Sequence, residues 1–104
     1  PSAARRALRA IKKASAKGSP SLESLHRVFL DYLGAKVRMS PQSLTSENLR
    51  RDLAATGFKE DILNAVDQLW TEFDLGRYAP SSSGVGPSGS DRLVQLIRSM
   101  EKNA

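Results

Sequence analysis

The sequence predicts an all-α fold, an antiparallel bundle of about five helices, on three observations. Apolar residues recur three and four positions apart in successive stretches. Residues that cap or end helices fall between those stretches and leave mostly short connections. No period of about 20 to 50 residues repeats, which argues against a solenoid. The 104 residues, 39% of them apolar, suffice for one compact domain and are too few for two that stand alone.

Taken in order, a first helix runs from Ala3 to Lys17 and stops at Gly18, the residue that most readily takes the left-handed cap conformation. Ser19 can cap a second helix with Pro20 at its first position. Leu22, Leu25, Phe29, Tyr32 and Leu33 form its core stripe, and Gly34 is expected to end it. The stretch from Ala35 to Leu44, with Met39, Ser40 and Pro41, reads as a loop. Thr45 or Ser46 caps a third helix of about three turns, which turns Leu49 and Leu53 inward and stops at Gly57. The fourth helix, Lys59 to Leu75, carries the strongest apolar stripe: Ile62, Val66, Leu69, Trp70 and Phe73. Trp70 is expected to anchor the core. Residues 81–89 consist of Ser, Gly, Pro and one Val, cannot bury a core, and read as a flexible linker. Asp91 to Lys102 is the last helix, with Leu93, Leu96, Ile97 and Met100 on one face. The chain therefore reads as a single domain, 1–104. Its parts are a basic helix at 1–18, core helices at 19–80, the linker at 81–89 and a terminal helix at 90–104.

The charge is local. Arg5, Arg6, Arg9, Lys12, Lys13 and Lys17 occur in the first seventeen residues with no acid among them, whereas the rest of the chain is close to balanced. At roughly 100° per residue the six cations share one arc of about 140°, with Ala4, Leu8, Ile11 and Ala14 on the other side. Three uses compete for such a helix. A nucleic-acid contact would take Lys and Arg for phosphates, but no aromatic side chain for stacking occurs before Phe29. An anionic membrane surface attracts a juxtamembrane cation by about 1 kcal/mol each. A plain solvated face usually mixes both signs, and this one does not.

Composition narrows the chemistry. The absence of Cys excludes disulfides, thiolate catalysis and cysteine-based zinc sites. No apolar run approaches the roughly 20 residues of a membrane span, and no apolar stretch of a secretory signal follows the basic N-terminus. The sequence begins Pro-Ser, which reads as a piece of a longer polypeptide. His26, the one histidine, neighbours Leu22, Leu25 and Phe29 and reads as a boundary residue of the core rather than a ligand. Glu60 with Asp61, and Glu72 with Asp74, stand one and two positions apart and so point different ways on a helix. Glu60 and Asp61 are sufficiently explained by the dipole at the start of their helix. Gly84, Gly86 and Gly89 lack the preceding strand and the following Lys-Ser or Lys-Thr of a phosphate loop. No catalytic, cofactor-binding or metal-ligating set can be assembled, and the chain is expected not to be an enzyme.

One resemblance goes further. The order of Phe29, Leu30, Asp31, Tyr32 and Leu33, then Leu44, Thr45 and a helix through Leu53, then Gly57, and finally Phe73 to Pro80 with Arg77, Tyr78 and Ala79, resembles the cytoplasmic C-terminal segment of the BatD family. These are bacterial membrane proteins of oxygen tolerance, or aerotolerance. The likeness covers nearly the whole chain, although none of its motifs is a catalytic signature. It implies immunoglobulin-like periplasmic domains and one membrane span before Pro1. The basic helix would then obey the positive-inside rule on the cytoplasmic face of the bacterial inner membrane. It also implies a non-enzymatic role in stress or oxygen tolerance beside a MoxR-type AAA+ ATPase and membrane proteins with von Willebrand factor A domains. Arg77 and Tyr78, just past the fourth helix, are candidates either for structural closure or for docking a partner. The alternative from another class is a small basic nucleic-acid-binding domain.

Overall fold

The computed structural model describes residues 3–16, 22–76 and 86–102. Among them the chain forms α1 (Ala3–Ser15), α2 (Leu22–Val37), α3 (Ser46–Thr56), α4 (Glu60–Gly76) and α5 (Gly86–Lys102), with a 3-10 turn at Pro41–Ser43 and no strand. The fold is an all-α bundle, as the apolar spacing predicts. Its Cα radius of gyration, 12.9 Å, is that of one compact domain of this length, about 13 Å.

α2 is the central helix. It touches α1, α3, α4 and α5, while α1 also lies on α5, and α4 lies on both α3 and α5. Leu25, Phe29, Tyr32 and Leu33 are buried, and Val28, Leu30 and Val37 are half-buried against the same core. An apolar surface this wide is what a helix contacted by four others requires. From α4 come Ile62, Leu63, Val66, Leu69 and Phe73, and from α5 Leu93, Leu96, Ile97 and Met100. The Phe29 ring lies 5.1 Å from Phe73 and 6.3 Å from Trp70, both in the tilted arrangement that aromatic quadrupoles favour. Phe29 and Phe73 are fully buried, but Trp70 is only half-buried at the edge of this cluster. The expectation that Trp70 anchors the core is thus corrected. Phe73, one turn along the same stripe, takes the centre, and Trp70 packs against the cluster from its edge.

The third helix forms as its sequence predicts. Thr45 Oγ1 accepts from the Asn48 amide at 3.2 Å, and Asn48 Oδ1 accepts from the Thr45 amide at 2.9 Å, a reciprocal capping box. Gly57 ends the helix at φ 111°, the left-handed region open to glycine.

Gly34 does not end α2, which continues to Val37 through a stretch expected to be loop. The stop is made at Arg38, at φ 59°, while the Met39 amide donates to the Gly34 carbonyl at 2.9 Å, as in a Schellman closure. Gly34 serves packing instead. A Cβ built there would stand 2.7 Å from the Met39 carbonyl oxygen, so the hydrogen side chain lets the chain fold back over the helix end. Gly34→Ala is therefore expected to destabilise the fold by about 1–3 kcal/mol, the usual cost of overpacking. An unchanged urea midpoint for that variant would contradict this close approach.

α5 begins at Gly86, not near Asp91, so the last four residues of the tract read as linker are helical. Pro87 occupies the first turn, where a missing N–H breaks no intrahelical bond. The rest of that tract, 81–85, lies outside the described residues, as do Lys17, Gly18, Ser19 and Pro20.

Candidate functional site

α1 is docked on the bundle, a point its sequence left open. Ala4, Ala7 and Ile11 are buried at 6%, 6% and 4% exposure, and Leu8 and Ala14 are half-buried beside them. The five described cations, Arg5, Arg6, Arg9, Lys12 and Lys13, are all exposed. Lys17 lies outside the described residues. Ion pairs among the described residues join Lys36 to Glu101, Arg50 to Glu60 and Asp67, Arg51 to Asp52, and Arg92 to Glu72. None of these includes Arg6, Arg9, Lys12 or Lys13. Two acids of α2 share clefts with these cations. Asp31 lines a cleft of about 420 Å³ with Arg6, and Glu23 lines a neighbouring one with Lys13.

This charge arrangement works against the helix that carries it. Arg5 and Arg9, and Arg9 and Lys13, are like charges four residues apart, each pair unfavourable by about 0.2–0.5 kcal/mol. Arg5 and Arg6 also stand near the positive end of the helix dipole, where an acid would be preferred, and α1 has none in its first turn. Only Lys12 and Lys13, in the last turn, suit the dipole. Burial of Ala4, Ala7 and Ile11 is what holds the helix together. Neither the helix dipole nor an ion pair among the described residues accounts for Arg6 and Arg9.

The platform under α1 is fixed by a polar clasp between α2 and α5 that sequence reasoning missed. The Tyr32 hydroxyl donates to Glu101 Oε2 at 2.6 Å across 69 positions of sequence. Lys36 pairs with the same carboxylate and holds its ammonium 5.5 Å from the Tyr32 ring centre. Burial, reinforced by the hydrogen bond and charge of Glu101, pushes the Tyr32 pKa far above that of an ordinary phenol. Burial also acts to raise the Glu101 pKa, but hydrogen bonds from Lys36 and Tyr32, with the Lys36 charge, outweigh it and hold the carboxyl below its ordinary range. The two groups act on opposite pH limbs. The Tyr32 contribution is complete below the unfolded value of about 10 and is lost as pH rises beyond it, whereas that of Glu101 is present above about 4.3 and lost as pH falls. Tyr32→Phe is expected to flatten the alkaline limb of a stability-against-pH curve. An alkaline limb identical in both proteins would remove Tyr32 as its cause.

The remaining candidate residues take structural places. His26 is half-buried and stacks on Phe73, with ring centres 5.3 Å apart and planes 19° from parallel. Glu60 and Asp67 hold Arg50, which ties α3 to α4. Glu72 holds Arg92, which ties α4 to α5, and that contact raises the Arg92 pKa further. Asp61 and Asp74 are exposed. Among the described residues no group of three His, Asp or Glu side chains is placed to hold a metal ion, and no helix is long and apolar enough to cross a membrane. Arg77 and Tyr78 lie outside the described residues.

No family model, curated protein or solved structure matches the chain.

Proposed function

We propose that this chain is a non-enzymatic, cytoplasmic protein-interaction module held at an anionic membrane surface through α1. The observation that carries the reading is the docked state of that helix. Its apolar face is spent on the bundle, and Arg6, Arg9, Lys12 and Lys13 are presented outward without ion-pair partners among the described residues. A rigidly presented row of cations gains from anionic headgroups without a further ordering cost for the backbone. The resemblance to the BatD segment supplies the setting proposed for it: the tail of a longer protein anchored in the bacterial inner membrane, working with a MoxR-type AAA+ ATPase and von Willebrand factor A domain proteins in oxygen tolerance.

Nucleic acid remains the competing anion. The described aromatic rings argue against it, because Phe29, Tyr32 and Phe73 are buried and contribute no stacking platform beside the cations. Co-sedimentation with neutral and with anionic vesicles, beside a titration with mixed-sequence DNA at physiological salt, separates the two. Binding to anionic vesicles alone is expected. Tight DNA binding with no vesicle binding would replace this reading by the other.

A further inference from the structure

At the far end of α4 the sequence makes two choices that cost the fold something and find no use among the described residues. Leu75 is 65% exposed, the one large apolar side chain so exposed among the described residues. Asp74 beside it puts a carboxylate into the last turn of α4, where the helix dipole disfavours negative charge and no basic residue stands within that turn. Local choices that conflict with folding mark functional surface more often than they mark error. Both residues line an open cleft of about 530 Å³ between the start of α3 and the end of α4, together with Glu47, Arg50, Asp67 and the half-buried Trp70.

Among the described residues that line this cleft, the charge left once internal pairs are removed is acidic. Arg50 is held by Asp67 and Glu60, so its charge is compensated. Glu47 and Asp74 enter no ion pair among the described residues and remain to face an incoming group. An apolar floor of Trp70 and Leu75 rimmed by two carboxylates is complementary to a segment with one apolar side chain flanked by Lys or Arg. The exposed face of α1 in a second copy matches chiefly the charge, since Ile11 is buried, Leu8 is half-buried and only the small Ala10 is exposed.

We propose that the α3–α4 cleft is the docking site for a basic amphipathic segment of a partner protein. An aliphatic or aromatic side chain seats on Trp70 and Leu75, and its basic neighbours meet Glu47 and Asp74. This site deepens the interaction-module reading and rests on it, yet it is separate from the α1 face. Vesicle binding reads α1 and not this cleft, so failure of one leaves the other standing.

Trp70 is the only tryptophan of the chain, so its fluorescence reports on the cleft directly. The probe is a synthetic helical peptide of Leu and Arg at three- and four-residue spacing, titrated against the whole chain, with matched peptides carrying Ser for Leu or Glu for Arg. A saturable Trp70 shift is expected with the Leu–Arg peptide. Either control peptide, Leu75→Ser or Asp74→Lys should weaken it about tenfold, the loss of one anchor. Both positions are exposed, and unchanged thermal midpoints would show that folding is intact. No Trp70 response to the Leu–Arg peptide, or a response that neither variant alters, would overturn the proposal. So would a Trp70 shift that grows with protein concentration alone and vanishes in Leu75→Ser, because it would assign the surface to self-contact.

Discussion

Phe73→Ala is expected to lose about 3–5 kcal/mol of folding stability, the cost of truncating a fully buried ring. Phe73 is 0% exposed and is held by Phe29 on one side and the stacked His26 ring on another. Truncation leaves a cavity at the point where α2 and α4 meet, with two rings that cannot both close it. A domain of this size has roughly 5–15 kcal/mol of stability in all, so the variant would be close to unfolded at 37 °C. Trp70→Ala, from the edge of the same cluster, should cost clearly less. Chemical denaturation of the two variants side by side decides the matter. Equal losses would mean that Trp70, not Phe73, is the anchor after all.

The second large effect concerns binding and should leave stability untouched or improved. Replacing Arg6, Arg9, Lys12 and Lys13 together by Gln removes about 1 kcal/mol of attraction per cation at an anionic surface. At about 1.4 kcal/mol per factor of ten, affinity for anionic vesicles should fall by several hundredfold to a thousandfold. Because these side chains are exposed and repel one another, the thermal midpoint should stay level or rise. A variant that loses vesicle binding only by unfolding would show a lowered midpoint instead, and the cations would then be structural. Salt should mimic the substitution, since the screening length is about 8 Å at physiological ionic strength.

Much of the fold was legible because its signals are local. The Thr45 cap and the Gly57 stop of α3 are made by neighbours in sequence, as is the periodicity of Leu25, Phe29, Tyr32 and Leu33. What failed was non-local. Gly34 looks like a helix stop until the Met39 carbonyl is seen to lie over it. Trp70 is the largest apolar residue of its stripe, but helical spacing does not say which member of a stripe reaches the centre. The early start of α5 at Gly86 is weakly coded, because Gly, Pro and Ser all disfavour a helix interior and only the first turn accommodates them.

The site divides along the same line. Charge segregation in α1 is a property of composition and spacing, so the cationic face could be named from the residues alone. The apolar side of α1, with Ala4 and Ile11, is visible in the sequence, but that α2 and α5 cover it is not. The Tyr32–Glu101–Lys36 clasp joins positions 69 apart and left no trace in any local pattern. The α3–α4 cleft was equally hidden. Asp74 and Leu75 are unremarkable as letters and become informative once the end of α4 and their exposure are known.

The central claim is orientational: the bundle meets an anionic surface through the outer face of α1. The most direct measurement is paramagnetic broadening of assigned backbone amide signals by anionic bicelles that carry a spin-labelled lipid. Broadening is predicted at Arg6, Arg9, Lys12 and Lys13, with signals around Leu75 and Trp70 left sharp. Broadening centred on the end of α4, or uniform across all helices, would contradict the account.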